Sequence, residues 1–142
     1  MSNRQPKIDH LGIAVKSIEE RVKFYEHVLG LEIEHTEIVE SEKVKAAFLN
    51  VGGTHIELLE PTSDDSAIAK SIAKRGEGIH HICYEVPDMQ SAIDKCKAMG
   101  MRMLDKAPRP GAKGKLVAFI HPKSAGGILV ELCQTENSSC PA

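Results

Sequence analysis

No apolar run in the sequence approaches the roughly 18 residues that a membrane-spanning helix requires. The first ten residues, MSNRQPKIDH, have no apolar core of the kind that opens a secretory signal. The four cysteines, Cys83, Cys96, Cys133 and Cys140, form no CxxC pair, which argues against a zinc knuckle or a disulfide framework. Neither charge dominates: a net charge of −2 at pH 7 gives no reason to expect nucleic acid or a membrane as partner. Cys83 and Cys133 lie inside apolar runs, where a free thiol behaves as a small hydrophobe. Together these absences lead us to expect a cytoplasmic protein in a reducing compartment. The sequon Asn137-Ser138-Ser139 carries no weight without a secretion signal. A length of 142 residues suits one domain or two small fused units.

What is present is a repeat. IDHLGIAVKSIEERV (8–22) aligns with IHHICYEVPDMQSAI (79–93), so that His10 meets His81, Val15 meets Val86, Ile18 meets Met89 and Val22 meets Ile93. Phe48 and Phe119 keep the same offset of 71. GTHIELLEP and GGILVELCQ then pair Glu57 with Glu131 at an offset of 74. The three extra residues fit in the turn HPKSAGG, which is longer than NVGG. One such match arises by chance; the whole ordered set does not.

Each half reads as an apolar strand (Ile8–Val15; Ile79–Val86), a helix and three shorter strands. Ser17 with Glu20 makes a capping box for the first helix, and Asp88 is an N-cap for the second. Ile18, Val22, Tyr25 and Val28, and then Met89, Ile93, Cys96 and Met99, recur at helical spacing, which predicts core faces packed on a sheet. Gly30 and Gly100 sit where helices stop. The shorter strands are predicted at Glu32–Val39, Lys45–Asn50 and His55–Leu59, then at Arg102–Asp105, Lys115–His121 and Ile128–Cys133. A short helix over Ser66–Lys74, capped by Asp65 or Ser66, is expected between the halves. The implied organisation is an arm (1–6), a first βαβββ module (7–61), a helical linker (62–77), a second module (78–134) and a polar tail (135–142) in one compact domain. The fold class expected is α+β, two tandem βαβββ modules forming a curved mixed sheet around a metal cavity.

Duplicated units of this kind pack about a pseudo-twofold axis, so equivalent residues should approach one another. His10, His81, Glu57 and Glu131 would then supply two imidazoles and two carboxylates to one cavity, a set that suits a divalent transition metal with room for water or substrate. Taken singly, each position has a plainer reading. A lone strand His is more often a satisfied core residue, and a Glu within IELLEP could lie on a solvated face. Their repeat equivalence is what raises the four together. His80 aligns with Asp9 and, as the strand neighbour of His81, should point to the other face. His121, before Pro122 at a strand end, is placed to support the site from behind. The loop KAPRPGAKGK gathers Lys106, Arg109, Lys113 and Lys115. A solvated loop is the default reading, but over a metal cavity it would attract an anionic substrate, with Lys123 and Ser124 of HPKSAGG contributing.

These segments carry a resemblance. HLGIAV, IELLEP, GIHHICYEV and HPKSAGGILVEL resemble the vicinal oxygen chelate superfamily, and within it the methylmalonyl-CoA epimerase family, over about Lys7 to Gln134. The resemblance implies a divalent metal, cobalt first with Mn2+, Ni2+ or Zn2+ as alternatives, held by residues matching His10, His81, Glu131 and, directly or through water, Glu57. It implies interconversion of (R)- and (S)-methylmalonyl-CoA and a homodimer; Lys113, Lys115, Lys123 and Ser124, from the basic loop and HPKSAGG, are the substrate-binding candidates. The α-proton lies between a thioester and a carboxylate, so its removal gives an enolate that a Lewis acid stabilises. Epimerisation then needs an acid/base group on each face, for which Glu131 and Glu57 are the expected catalytic pair. One departure bears on this. Some relatives carry Glu near the position of Ala46, and here that role passes to Glu57, to a nearby Glu such as Glu42, or to water. Rival readings are a glyoxalase I-type lactoylglutathione lyase, which shares the ligand order, an extradiol dioxygenase, and a metal-free small-molecule-binding module of the same fold.

Overall fold

The computed structural model describes residues 5–135. They group into two units, one of residues His10–His80 and the other of His81 onward together with the residues up to Asp9. In chain order the elements are β1 (Lys7–Ala14), α1 (Ile18–His27), β2 (Ile33–Val39), β3 (Val44–Val51), β4 (Thr54–Pro61), α2 (Ala67–Arg75), β5 (Gly78–Glu85), α3 (Met89–Ala98), β6 (Arg109–Pro110), β7 (Lys115–Ile120) and β8 (Val130–Thr135). The α+β class and the two βαβββ runs are as expected from the repeat. Among the described residues, no helix is long and apolar enough to cross a membrane.

In the first unit the strand order is β2-β3-β4-β1, with β1 parallel to β4 and the other pairs antiparallel. The hairpin between β3 and β4 closes through Gly52 and Gly53, both at positive φ (63° and 99°), the geometry of a two-residue turn whose twist matches the strands. Asn50 Oδ1 accepts the Gly53 N–H at 2.7 Å. Period-two alternation divides this sheet into two faces. Val15, Ala47, Leu49 and Leu58 lie on one face and pack with Ile18 and Val22 of α1. On the other face, β1 presents His10 and Gly12, β4 presents Glu57 and Leu59, and β3 presents Ala46 and Phe48.

The second unit repeats this plan in the order β5-β8-β7-β6, again with one parallel pair, β5 with β8. Ala118, Ile120 and Leu132 pack beneath Met89 and Ile93 of α3. His81, Cys83, Glu131, Cys133, Val117 and Phe119 occupy the opposite face. In both units the helix claims one side of the sheet, which leaves the histidine and glutamate on the other.

The caps differ in one respect from expectation. Ser17 Oγ accepts the Glu20 N–H at 3.2 Å, but the Glu20 carboxylate pairs with Lys23 at 3.0 Å. The orphan N–H groups at this helix start go to distant carboxylates, Ile18 N to Glu60 at 2.7 Å and Lys16 N to Glu77 at 2.8 Å. A helix terminus must find such partners somewhere, and tertiary acceptors replace the local box. Asp88 caps α3 by accepting the Ser91 N–H. Ser66 caps α2, while Asp65 instead pairs with Lys43 at 2.6 Å.

One predicted strand is absent. Arg102–Asp105 forms only an isolated bridge between Met103 and Ile120, and the edge of the sheet is the two-residue β6. The reason lies in Asp105. Its Oδ2 accepts the Phe119 N–H at 2.7 Å, taking with a side chain the bond that a neighbouring strand would have made. Pro108 and Pro110, which lack an N–H, keep the segment from resuming a regular ladder.

Candidate metal and proton-transfer site

Glu57 and Glu131 sit between apolar residues on both sides because Ile56, Leu58, Val130 and Leu132 belong to the helix-covered faces. The carboxylates point the other way and are nevertheless 6% and 8% exposed. His10 and His81 are equally buried, at 7% and 5%. Within the first unit, His10 Nε2 lies 3.7 Å from Glu57 Oε1. Within the second, His81 Nε2 lies 3.0 Å from Glu131 Oε1.

The surroundings repeat as well. Glu57 is in register with Gly12 on β1 and Phe48 on β3. Glu131 is in register with Cys83 on β5 and Phe119 on β7. Each unit therefore carries one imidazole, one carboxylate and one phenyl ring at matched places on its helix-free face. The Phe119 ring meets the His81 ring edge-on, with centroids 5.9 Å apart.

Burying a carboxylate is costly unless it is paired, and here each one faces an imidazole rather than an ammonium or guanidinium in its own pair. Imidazole nitrogen and carboxylate oxygen are donors that a divalent transition ion takes, so the residues present fit such an ion. His80 is half-buried on the alternate face of β5.

The basic candidates are placed differently from one another. Lys115 Nζ lies 2.5 Å from Asp9 Oδ1. Burial pulls the Lys115 pKa down, but the hydrogen bond and charge of Asp9, helped by Cys133 and Glu85, outweigh it and raise the pKa overall. That ammonium is therefore held charged against Asp9. Lys113, at positive φ (61°), and Lys123 are exposed. Ser124 Oγ accepts the Arg102 N–H at 2.9 Å, which ties the β7–β8 connection to the segment after α3. His121 Nδ1 accepts the Lys123 N–H at 3.0 Å and caps the 3-10 turn Pro122–Ser124. Its role is to shape the longer turn that shifts the repeat offset.

The sequence did not expose a further arrangement in the second unit. Arg109 Nε donates to Asp105 Oδ1 at 2.8 Å, and its guanidinium lies 5.4 Å from the Phe119 centroid. Asp105 thereby fixes both the Phe119 backbone and the Arg109 side chain. The match of Phe119 to Phe48 in the repeat was its only advance sign. Cys83 and Cys133 are free thiols packed with Val117. The hydrogen bond with Cys133, burial and the Glu131 charge all push the Cys83 thiol pKa up. Cys140 and the sequon lie outside the described residues.

A family model described as "Glyoxalase/Bleomycin resistance protein/Dioxygenase superfamily" matches residues 9–119. The chain belongs to this superfamily. Among relatives, human mitochondrial methylmalonyl-CoA epimerase is 39% identical over 129 residues, covering 90% of this chain and 73% of the relative. An ethylmalonyl-CoA/methylmalonyl-CoA epimerase of Cereibacter sphaeroides is 41% identical over 130 residues, covering 90% and 97%. A superfamily structure described as methylmalonyl-CoA epimerase in complex with methylmalonyl-CoA and ammonium is 38% identical, with a TM-score of 0.88, covering 95% and 98%. These relatives are enzymes of the isomerase class.

Proposed function

We propose that the chain is a metal-dependent epimerase that interconverts (R)- and (S)-methylmalonyl-CoA. The observation that carries this reading is the pair of buried His–Glu couples, His10–Glu57 and His81–Glu131, repeated with the same strand partners in a chain whose close relatives are named for that reaction. The two couples serve one divalent ion, cobalt first and Mn2+, Ni2+ or Zn2+ as alternatives. Held there, the ion supplies Lewis-acid stabilisation of the negative charge that develops on the substrate oxygens.

The chain's own residues do the rest. Glu131 works as acid/base on one face of the substrate carbon, and a carboxylate of the first unit works on the other. Burial of both couples lowers the local dielectric and so strengthens the electrostatics within the site. Lys113 and Lys123, exposed on the loops around β7, attract the anionic CoA portion, and Ser124 and the Asp9-bound Lys115 shape the same region. The proposal also includes a homodimer in the cytoplasm.

Metal loading separates this reading from a metal-free binding module. Protein stripped of metal and reloaded with cobalt should hold about one ion per chain and gain thermal stability by linkage. Substantially less than one ion per chain after reloading contradicts it.

A further inference from the structure

Resting on the function just proposed, we infer that Glu37, held by His35 on the edge strand β2, is the acid/base group of the first unit. The first observation is register. Glu37 is directly opposite Ala46, and His35 is opposite Phe48. Ala46 and Phe48 in turn face Leu59 and Glu57 on β4. Directly paired residues share a face of the sheet, so His35 and Glu37 stand on the face that carries His10 and Glu57. Two strand spacings separate β2 from β4, about 10 Å between the chains, which leaves width for a planar substrate fragment between the two carboxylate rows.

Ala46 is the second observation. Its methyl side chain is the smallest that could stand between Glu37 and the centre of that face, so the longer carboxylate can lean across it. Register thus sets Glu37 beside the place that a larger residue at position 46 would fill.

His35 is the third. Its Nε2 lies 2.9 Å from Glu37 Oε1, and its ring is 5.4 Å from that of Phe48, the residue in register with Glu57. The imidazole positions the carboxylate by donating to one oxygen, leaving Oε2 as the atom that takes the proton. The Glu37 side chain is 28% exposed, so a proton gained in one turnover can leave to solvent before the next. The alternatives are less well placed. Glu42 is exposed in the 3-10 turn Glu40–Glu42, beyond the end of β2. Glu34, at the β2 bulge, is bonded to His55 at 2.9 Å. Glu57 is nine-tenths buried against His10, where it keeps the ligand part of its expected role.

The step balances simply. The ionised Glu37 carboxylate takes the α-proton, and the C–H electron pair becomes the enolate. Protonated Glu131 then delivers a proton to the opposite face. In the reverse direction the two exchange roles.

The test is Glu37→Gln in cobalt-loaded protein, given each epimer separately in deuterated water, with epimer formation and α-deuterium both followed by mass spectrometry and chiral analysis. Glutamine keeps the hydrogen bond to His35, so the strand is preserved. Epimer formation should fall by about 100-fold or more. One epimer should still exchange its α-proton through Glu131, while the other should not. Undiminished epimerisation, or equal loss of exchange from both epimers, overturns the assignment. So does one-sided exchange produced by Glu57→Gln rather than by Glu37→Gln. His35→Gln should lower kcat by the same factor in both directions and leave KM unchanged; a change in KM alone contradicts its positioning role. Failure of the function itself looks different, because wild-type protein would then neither exchange nor epimerise.

Discussion

His81→Ala should abolish cobalt binding and epimerisation together, while His80→Ala retains most of both. The two residues are adjacent, identical in chemistry and on one strand, so only the alternation of β5 separates them. His81 is 5% exposed and lies 3.0 Å from Glu131; His80 is half-buried on the alternate face. Removing an imidazole ligand should cost more than the about 10- to 100-fold in metal affinity typical of losing an outer partner. Metal content per chain and initial rates, measured side by side on the two variants, check this. Equal losses would mean that the face assignment of β5 is wrong.

Glu131→Gln separates holding the ion from moving the proton. The amide oxygen still offers a donor where the carboxylate stood, but it is no longer a base near neutral pH. Cobalt content should therefore persist while kcat falls by about 10²- to 10⁴-fold, the span of a lost general acid/base. In deuterated water the epimer that still exchanges should be the opposite of the one that exchanges in Glu37→Gln. A rate close to wild type would remove Glu131 from the chemistry. Loss of cobalt along with the rate would instead place its whole contribution in ligation.

The parts of this account that were legible in the sequence are those written locally or twice. Ser66 and Asp88 announce helix starts through their own side chains. The offset of 71 residues between His10 and His81 and between Phe48 and Phe119 survives into the registers Gly12–Glu57–Phe48 and Cys83–Glu131–Phe119. What was not legible depends on pairing between distant segments. Asp105 reads as the end of a strand, and nothing near it in sequence says that its carboxylate takes the Phe119 N–H. Lys115 reads as one cation among several in a basic loop, yet Asp9, more than a hundred residues away, holds it at 2.5 Å. Glu37 carries no motif at all. Its place opposite Ala46 follows only from the β2–β3 register and the bulge between Ile33 and His35, which alternation along one strand cannot specify.

The site's costly buried groups stand on strands whose other face is packed against a helix. Each sheet spends one face on its helix, through Leu58 and Val15 in the first unit and Ala118 and Leu132 in the second. That leaves strand backbones rigid beneath the histidines and carboxylates of the other face, and sites on strands hold their geometry better than sites on loops.

The most direct measurement is incubation of cobalt-loaded wild-type protein with (2R)- or (2S)-methylmalonyl-CoA in deuterated water. The account predicts α-deuterium in the product and formation of the opposite epimer from either starting material. Absence of both, with the metal bound, would contradict it.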